Sequence, residues 1–141
     1  MTTRVLRIAV AAAFALAVAG CGANEYLGKP KEPDPNIVPV NYKQEILDTL
    51  RQTLGDPTNV RDAAISEPAL MPVGREPRYV VCVRENSRDS AKRYTGVTTH
   101  IAVFYAGRLN QFVAATKDQC VNAAYKPFPE LEKLCLSKEC A

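Results

Sequence analysis

Tryptophan is missing from the sequence, and histidine occurs once, at position 100. Any hydrolytic triad would have to use His100, and no serine sits in a G-x-S-x-G turn to partner it. Charge of one sign is also scarce. Eighteen basic against fifteen acidic side chains leave +3, too little to hold a protein on nucleic acid through counterion release. Long apolar runs are absent as well. The longest, residues 8–19 (IAVAAAFALAVA), would rise ~18 Å as a helix against ~30 Å of bilayer hydrocarbon, so it is too short to span. There is no internal repeat, and 141 residues leave room for one domain core. What is present, 47% hydrophobic and 23% charged residues, is the composition of an ordinary globular protein.

The first twenty residues read as a processing segment. Arg4 and Arg7 form a basic n-region, residues 8–19 the apolar h-region, and Val18, Ala19 and Gly20 lead into Cys21. V-A-G-C resembles the bacterial lipobox. That resemblance implies a mature chain that starts at a lipidated Cys21 and meets the membrane through its N-terminal lipid. Gly22, standing where an Asp would imply inner-membrane retention, implies the periplasmic face of the outer membrane. Loss of Arg4 and Arg7 leaves sixteen basic against fifteen acidic side chains, so long-range steering of a partner is not expected.

Residues 21–40 comprise the lipidated Cys and a tether in which Pro30, Pro33, Pro35 and Pro39 oppose both helix and central strand. Fully extended, the tether reaches ~60 Å. Packing of Ile37 and Val38 on the domain would shorten that reach.

Residues 41–141 hold the domain. Asn41 and Gln44 have capping-box spacing, Tyr42, Ile46, Leu47, Leu50 and Leu54 recur at helical spacing, and Gly55 and Pro57 provide a stop, which predicts a helix over 42–54. Residues 60–66 are a weaker strand candidate and 68–77 read as loop. Residues 78–85 (RYVVCVRE) are β-branched on both faces, the pattern of a central strand. Residues 97–105 form another strand, and Gly107 and Arg108 suit a type II′ turn into 109–116. A short helix is expected near 129–136. The expected class is α+β: an N-terminal helix packed on a three- or four-stranded antiparallel sheet, with a short C-terminal helix.

Leu54-Gly55-Asp56-Pro57-Thr58-Asn59-Val60 resembles the L-x-D-P-x-S-A helix ending of a family of small uncharacterised bacterial envelope proteins. In those proteins a strand reads C-G-x-V-N-A-K-N-S-x-G-G-Y-T-G, and Cys82, Asn86, Arg88, Ser90, Tyr94, Thr95 and Gly96 fall in the same register. The family's Gly-Gly is Lys92-Arg93 here. The resemblance covers residues 42–105 and implies a fold and an envelope location but no activity.

Beyond Cys21 four cysteines remain, Cys82, Cys120, Cys135 and Cys140. An even number in an oxidising compartment points to two disulfides with three connectivities. Cys82 with Cys120 and Cys135 with Cys140 is the preferred set, and Cys82 with Cys135 the main competitor. Without a C-x-x-C or a histidine near any cysteine, neither a metal site nor a cofactor is expected.

Other candidates for chemistry are sparse. His100 reads as a hydrogen-bonded sheet residue, and Glu130 and Glu132 as carboxylates favouring a helix start. Arg75, Arg78, Arg84, Arg88, Lys92 and Arg93 outnumber Glu76, Glu85 and Asp89 around the central strand. Arg88, Lys92 and Arg93, with Tyr94 as aromatic anchor, are therefore candidate binding residues for an envelope protein, the cell wall or an anionic lipid, the alternative being a solvated loop. The sequence thus suggests a lipid-anchored periplasmic envelope protein that is a non-enzymatic interaction or accessory module. The alternative is a small-ligand binder, or an enzyme that does not rely on His chemistry.

Overall fold

The computed structural model describes residue 28 and residues 30–134. The chain divides into two units, Met1–Glu32 and Pro33–Ala141, and the second carries every element below. Cys21, Cys135 and Cys140, with the signal-like segment and the end of the expected 129–136 helix, lie outside the described residues.

Helix α1 (Tyr42–Thr53) forms because Ile46, Leu47 and Leu50 make one apolar stripe, and that stripe is buried. The expected capping box does not form. Asn41 makes no side-chain cap hydrogen bond, and Gln44 donates instead to Asp48 Oδ1 at 2.9 Å, one turn on. The helix ends at Leu54, whose N–H still reaches the Leu50 carbonyl while its own ψ of 141° turns the chain into extended backbone.

Six strands follow: β1 (Asp56–Ser66), β2 (Ala69–Val73), β3 (Glu76–Arg88), β4 (Thr98–Tyr105), β5 (Arg108–Ala114) and β6 (Tyr125–Pro127). A one-turn helix α2 (Pro129–Glu132) comes last. They form one sheet of order β5-β4-β3-β1-β6, with β2 also on β3, and every pairing is antiparallel. The α+β expectation of a helix on a three- or four-stranded sheet is therefore corrected. Among the described residues the chain is mostly β, with six strands and helix limited to the twelve residues of α1 and the four of α2.

The extra strands have identifiable causes. Residues 68–77, read as a loop because of their prolines, form the β2–β3 hairpin, with Pro72 directly opposite Pro77. Two prolines can face each other only where both nitrogens point away from the partner strand, so no ladder hydrogen bond is lost. The hairpin turns on Gly74 at φ 65°. The expected type II′ turn at Gly107 and Arg108 is corrected too: Tyr105 pairs with Arg108, and the turn residues are Ala106 (φ 49°) and Gly107 (φ 78°), the type I′ pattern.

Strand β3 is apolar on both sides because both sides are covered. Val81, Val83, Ala102 and Phe104 pack under Ile46, Leu47 and Leu50 of α1 and under Phe128, Leu131 and Leu134. On the opposite face Val80, Ile101 and Val103 gather Met71, Val73 and Ala115. Full burial of a side chain such as Phe104 or Phe128 contributes ~1.5–3 kcal/mol. Part of the Pro-rich stretch belongs to this unit. Ala106 N–H donates to the Pro35 carbonyl at 3.0 Å, Pro39 is buried, and a Cβ on Gly107 would stand 3.1 Å from Ile37 Cγ2. Among the described residues, no helix is long and apolar enough to cross a membrane.

Candidate functional site

The basic loop singled out in the sequence connects β3 to β4, and its charges are largely answered from within. Arg88 Nη2 lies 2.6 Å and Lys92 Nζ 3.1 Å from Asp56 Oδ2. Asp56 is 1% exposed, and Oδ1 accepts from Thr58 Oγ1 at 2.6 Å and Thr58 N–H at 3.1 Å. The Thr58 hydroxyl bond, then the Thr58 N–H, Lys92 and Arg88, hold the Asp56 carboxyl far below the usual carboxylate range against the opposing effect of burial. Arg93 folds back on Asp89 at 3.0 Å, and the Arg93 N–H bond to that carboxylate lowers its pKa. Tyr94 donates its hydroxyl to the Asn59 carbonyl at 2.9 Å, with the Arg61 guanidinium 4.3 Å from the ring centroid. Stretches 54–60 and 82–96 thus lie side by side. Arg88, Lys92 and Tyr94 tie the loop to the start of β1, while Arg93 stays 79% exposed.

His100 stacks on Phe112, ring centroids 5.0 Å apart. The expected hydrogen bond is absent. Its Nδ1 is buried without a partner, 3.8 Å from Glu85 Oε1. Glu85 is 1% exposed, and burial raises its carboxyl pKa while lowering that of His100. Both groups lie on the α1 face, packed into the sheet interior. No local sequence pattern couples these two residues, because Glu85 and His100 belong to different strands and meet only through the β3–β4 register.

The opposite face carries the more open geometry. Cys82 and Cys120 are disulfide-bonded. The bond draws the chain between β5 and β6 down onto the sheet, where local contacts shape it: Ala123 N–H reaches the Cys120 carbonyl at 3.2 Å, and the Gln119 side chain accepts from Thr116 N–H at 2.8 Å. A cavity lies on each side of this clamped segment. The first, about 470 Å³, is mostly apolar and lies between residues 66–71 and the segment, over Val80 and Cys82. Its Glu67 and Lys126 pair with each other at 2.9 Å. The second, about 680 Å³, is polar and lies toward Thr98, Thr99 and Tyr125.

No family model, curated protein or solved structure matches the chain. Any reading of the site therefore rests on its own geometry. Neither cavity takes its lining from the candidate loop residues Arg88, Lys92, Arg93 and Tyr94, nor from Glu85 or His100. The residues that sequence reasoning missed are Arg84, Lys117 and Tyr125. Arg84 was noticed only as one of several basic residues, and its sharing a cavity with Lys117 depends on the path that the chain takes around the Cys82–Cys120 bond, which no local pattern reveals.

Proposed function

We propose that the chain is a lipid-anchored accessory protein of the bacterial envelope that acts by binding, without a catalytic centre of its own. Its binding face is the sheet surface opposite α1. The V-A-G-C sequence supports the anchor, and the export that it implies accords with a disulfide-closed domain. The observation that carries the binding reading is the Cys82–Cys120 clamp, which holds residues 116–124 over the sheet and leaves a cavity on either side. An apolar cavity of about 470 Å³ is of the size that small-ligand sites occupy. Of the three charged residues in its lining, Glu67 and Lys126 neutralise each other and Asp118 stands apart from them, an arrangement suited to holding a ligand more than to moving protons.

The anchor is tested by fatty-acid labelling in cells, where Cys21→Ala should abolish the label and leave the precursor at full length. The face is tested by a photo-crosslinking side chain at Val121, 72% exposed on the clamped segment, against one at Gln52, exposed on α1. Crosslinks to an envelope component should form from position 121 and not from 52. Equal yields from both positions would remove the basis for assigning binding to this face.

A further inference from the structure

Most basic side chains of the domain answer a carboxylate: Arg51 pairs with Asp48, Arg78 with Glu76, Arg88 and Lys92 with Asp56, Arg93 with Asp89, Arg108 with Glu45 and Lys126 with Glu67. Among its described residues Arg61, Arg75, Arg84, Lys117 and Lys133 do not, and of these Arg84 and Lys117 line one cavity, the 680 Å³ space beside the clamped segment, whose lining includes no Asp or Glu. Arg84 is held in place without being neutralised, its guanidinium 4.2 Å from the Tyr125 ring centroid. Stacking of this kind orients the planar fork and leaves its N–H edge free.

Three hydroxyls join the two cations in the same lining, those of Thr99, Thr116 and Tyr125, while Thr98 alternates with Thr99 along β4 and faces the α1 side. None is engaged in a side-chain hydrogen bond among the described residues, in contrast to Thr49, Thr53, Thr58 and Tyr94, whose hydroxyls are. Two cations and three free hydroxyls without a carboxylate make a setting suited to an anion. Their donors outnumber the roughly four lone-pair sites of a carboxylate, and a phosphate, with three or four acceptor oxygens, can engage more of them. Val97 and Val121, 58% and 72% exposed, stand in the same lining. They offer an apolar contact to whatever bears the phosphate.

We propose that the cavity bounded by Arg84, Lys117 and Tyr125 binds a phosphate group, either free in solution or carried on a lipid headgroup. The inference deepens the reading of this face as the binding face, and its test is separate from the crosslinking comparison above.

The purified chain is titrated with inorganic phosphate and followed by amide chemical shifts. In a second arm it is floated with vesicles of phosphatidylcholine alone or containing phosphatidic acid. Arg84→Gln and Lys117→Gln are compared with Arg51→Gln on α1. Shifts centred on residues 98–99 and 116–117, with affinity falling at least ten-fold in Arg84→Gln and several-fold in Lys117→Gln, establish the site. Loss in the same two variants of flotation specific to phosphatidic acid establishes it with the lipid as source. Lys117 is exposed on the segment, so its replacement reads binding even if Arg84→Gln perturbs packing on Tyr125. Absence of binding in both arms, or equal binding by Arg51→Gln and Lys117→Gln, overturns the proposal even where crosslinks from position 121 persist.

Discussion

Replacing both Cys82 and Cys120 with Ala removes the clamp and tests whether it governs stability as well as the site. The bond closes a loop with a sequence separation of 38, and on the chain-entropy model such a cross-link stabilises by ~4 kcal/mol. A domain of this size has about 5–15 kcal/mol in total. The double variant should therefore fold, because the β3–β4–β5 ladder and the α1 layer do not depend on the segment. It should nevertheless melt ~15–30 °C lower, at roughly 4–8 °C per kcal/mol. Urea denaturation supplies a sharper signature. A cross-link that acts by restricting the unfolded chain also keeps that chain compact, so the variant should unfold with a steeper denaturant slope. Hydrogen exchange should locate the change, with protection of Gln119 and Ala123 amides lost first. A loss below ~1 kcal/mol with an unchanged slope would refute the entropic argument.

Phe128→Ala, at a fully buried position in the α1 layer, should cost ~3–5 kcal/mol in chemical denaturation. Arg88→Ser leaves buried Asp56 without its closest cation and should lower Tm clearly more than Arg93→Ser, whose guanidinium is mostly in water; equal shifts would show that the Asp56 cluster is not structural. Ala106→Gly should raise stability by about 1 kcal/mol in the same denaturation assay, because alanine at φ 49° bears the left-handed penalty that glycine lacks. Several groups shape the acid limb of the stability profile: His100, Asp56, Glu67 and Asp89, all lowered in the fold, share one sign, and Glu85, raised by burial, opposes them. His100, lowered by burial, contributes stability that is complete above its unfolded value near ~6.5 and is lost as pH falls, and Asp56, also lowered, contributes stability lost below its unfolded value near ~3.9. His100→Leu should flatten the profile just below about pH 6.5 and Asp56→Asn should flatten it below about pH 4, both read from urea midpoints.

The central strand was legible because Tyr79, Val80, Val81, Cys82 and Val83 present bulky groups to both faces without a break. The β2 strand was hidden by a sound rule applied one step too far. Prolines exclude a segment from the middle of a sheet, yet Pro72 and Pro77 sit at a pairing where neither nitrogen faces the partner. The turn after β4 was displaced by one residue because alanine seldom adopts positive φ and gave no signal at position 106. The candidate loop was found by its charge, but net charge does not say where a counter-charge lies. Asp56, outside the loop in sequence, takes both Arg88 and Lys92. Long-range pairing is the information that a linear reading lacks, and both the Asp56 cluster and the Arg84 cavity depend on it.

The sheet has three unpaired margins, and each ends the ladder differently. Along β2, Pro72 presents no amide to the outside. β6 is three residues long and closes on Pro127. On β5 the Leu109 amide is already taken by the Glu45 carboxylate at 2.6 Å, next to a register irregularity between Val103 and Phe104. Neighbouring molecules held at high surface density would meet margin to margin far more often than molecules free in solution. A sheet with open margins would zip such neighbours into ribbons. Two prolines and one borrowed carboxylate work against such pairing, and a change as small as Pro72→Thr would give neighbouring copies a place to join.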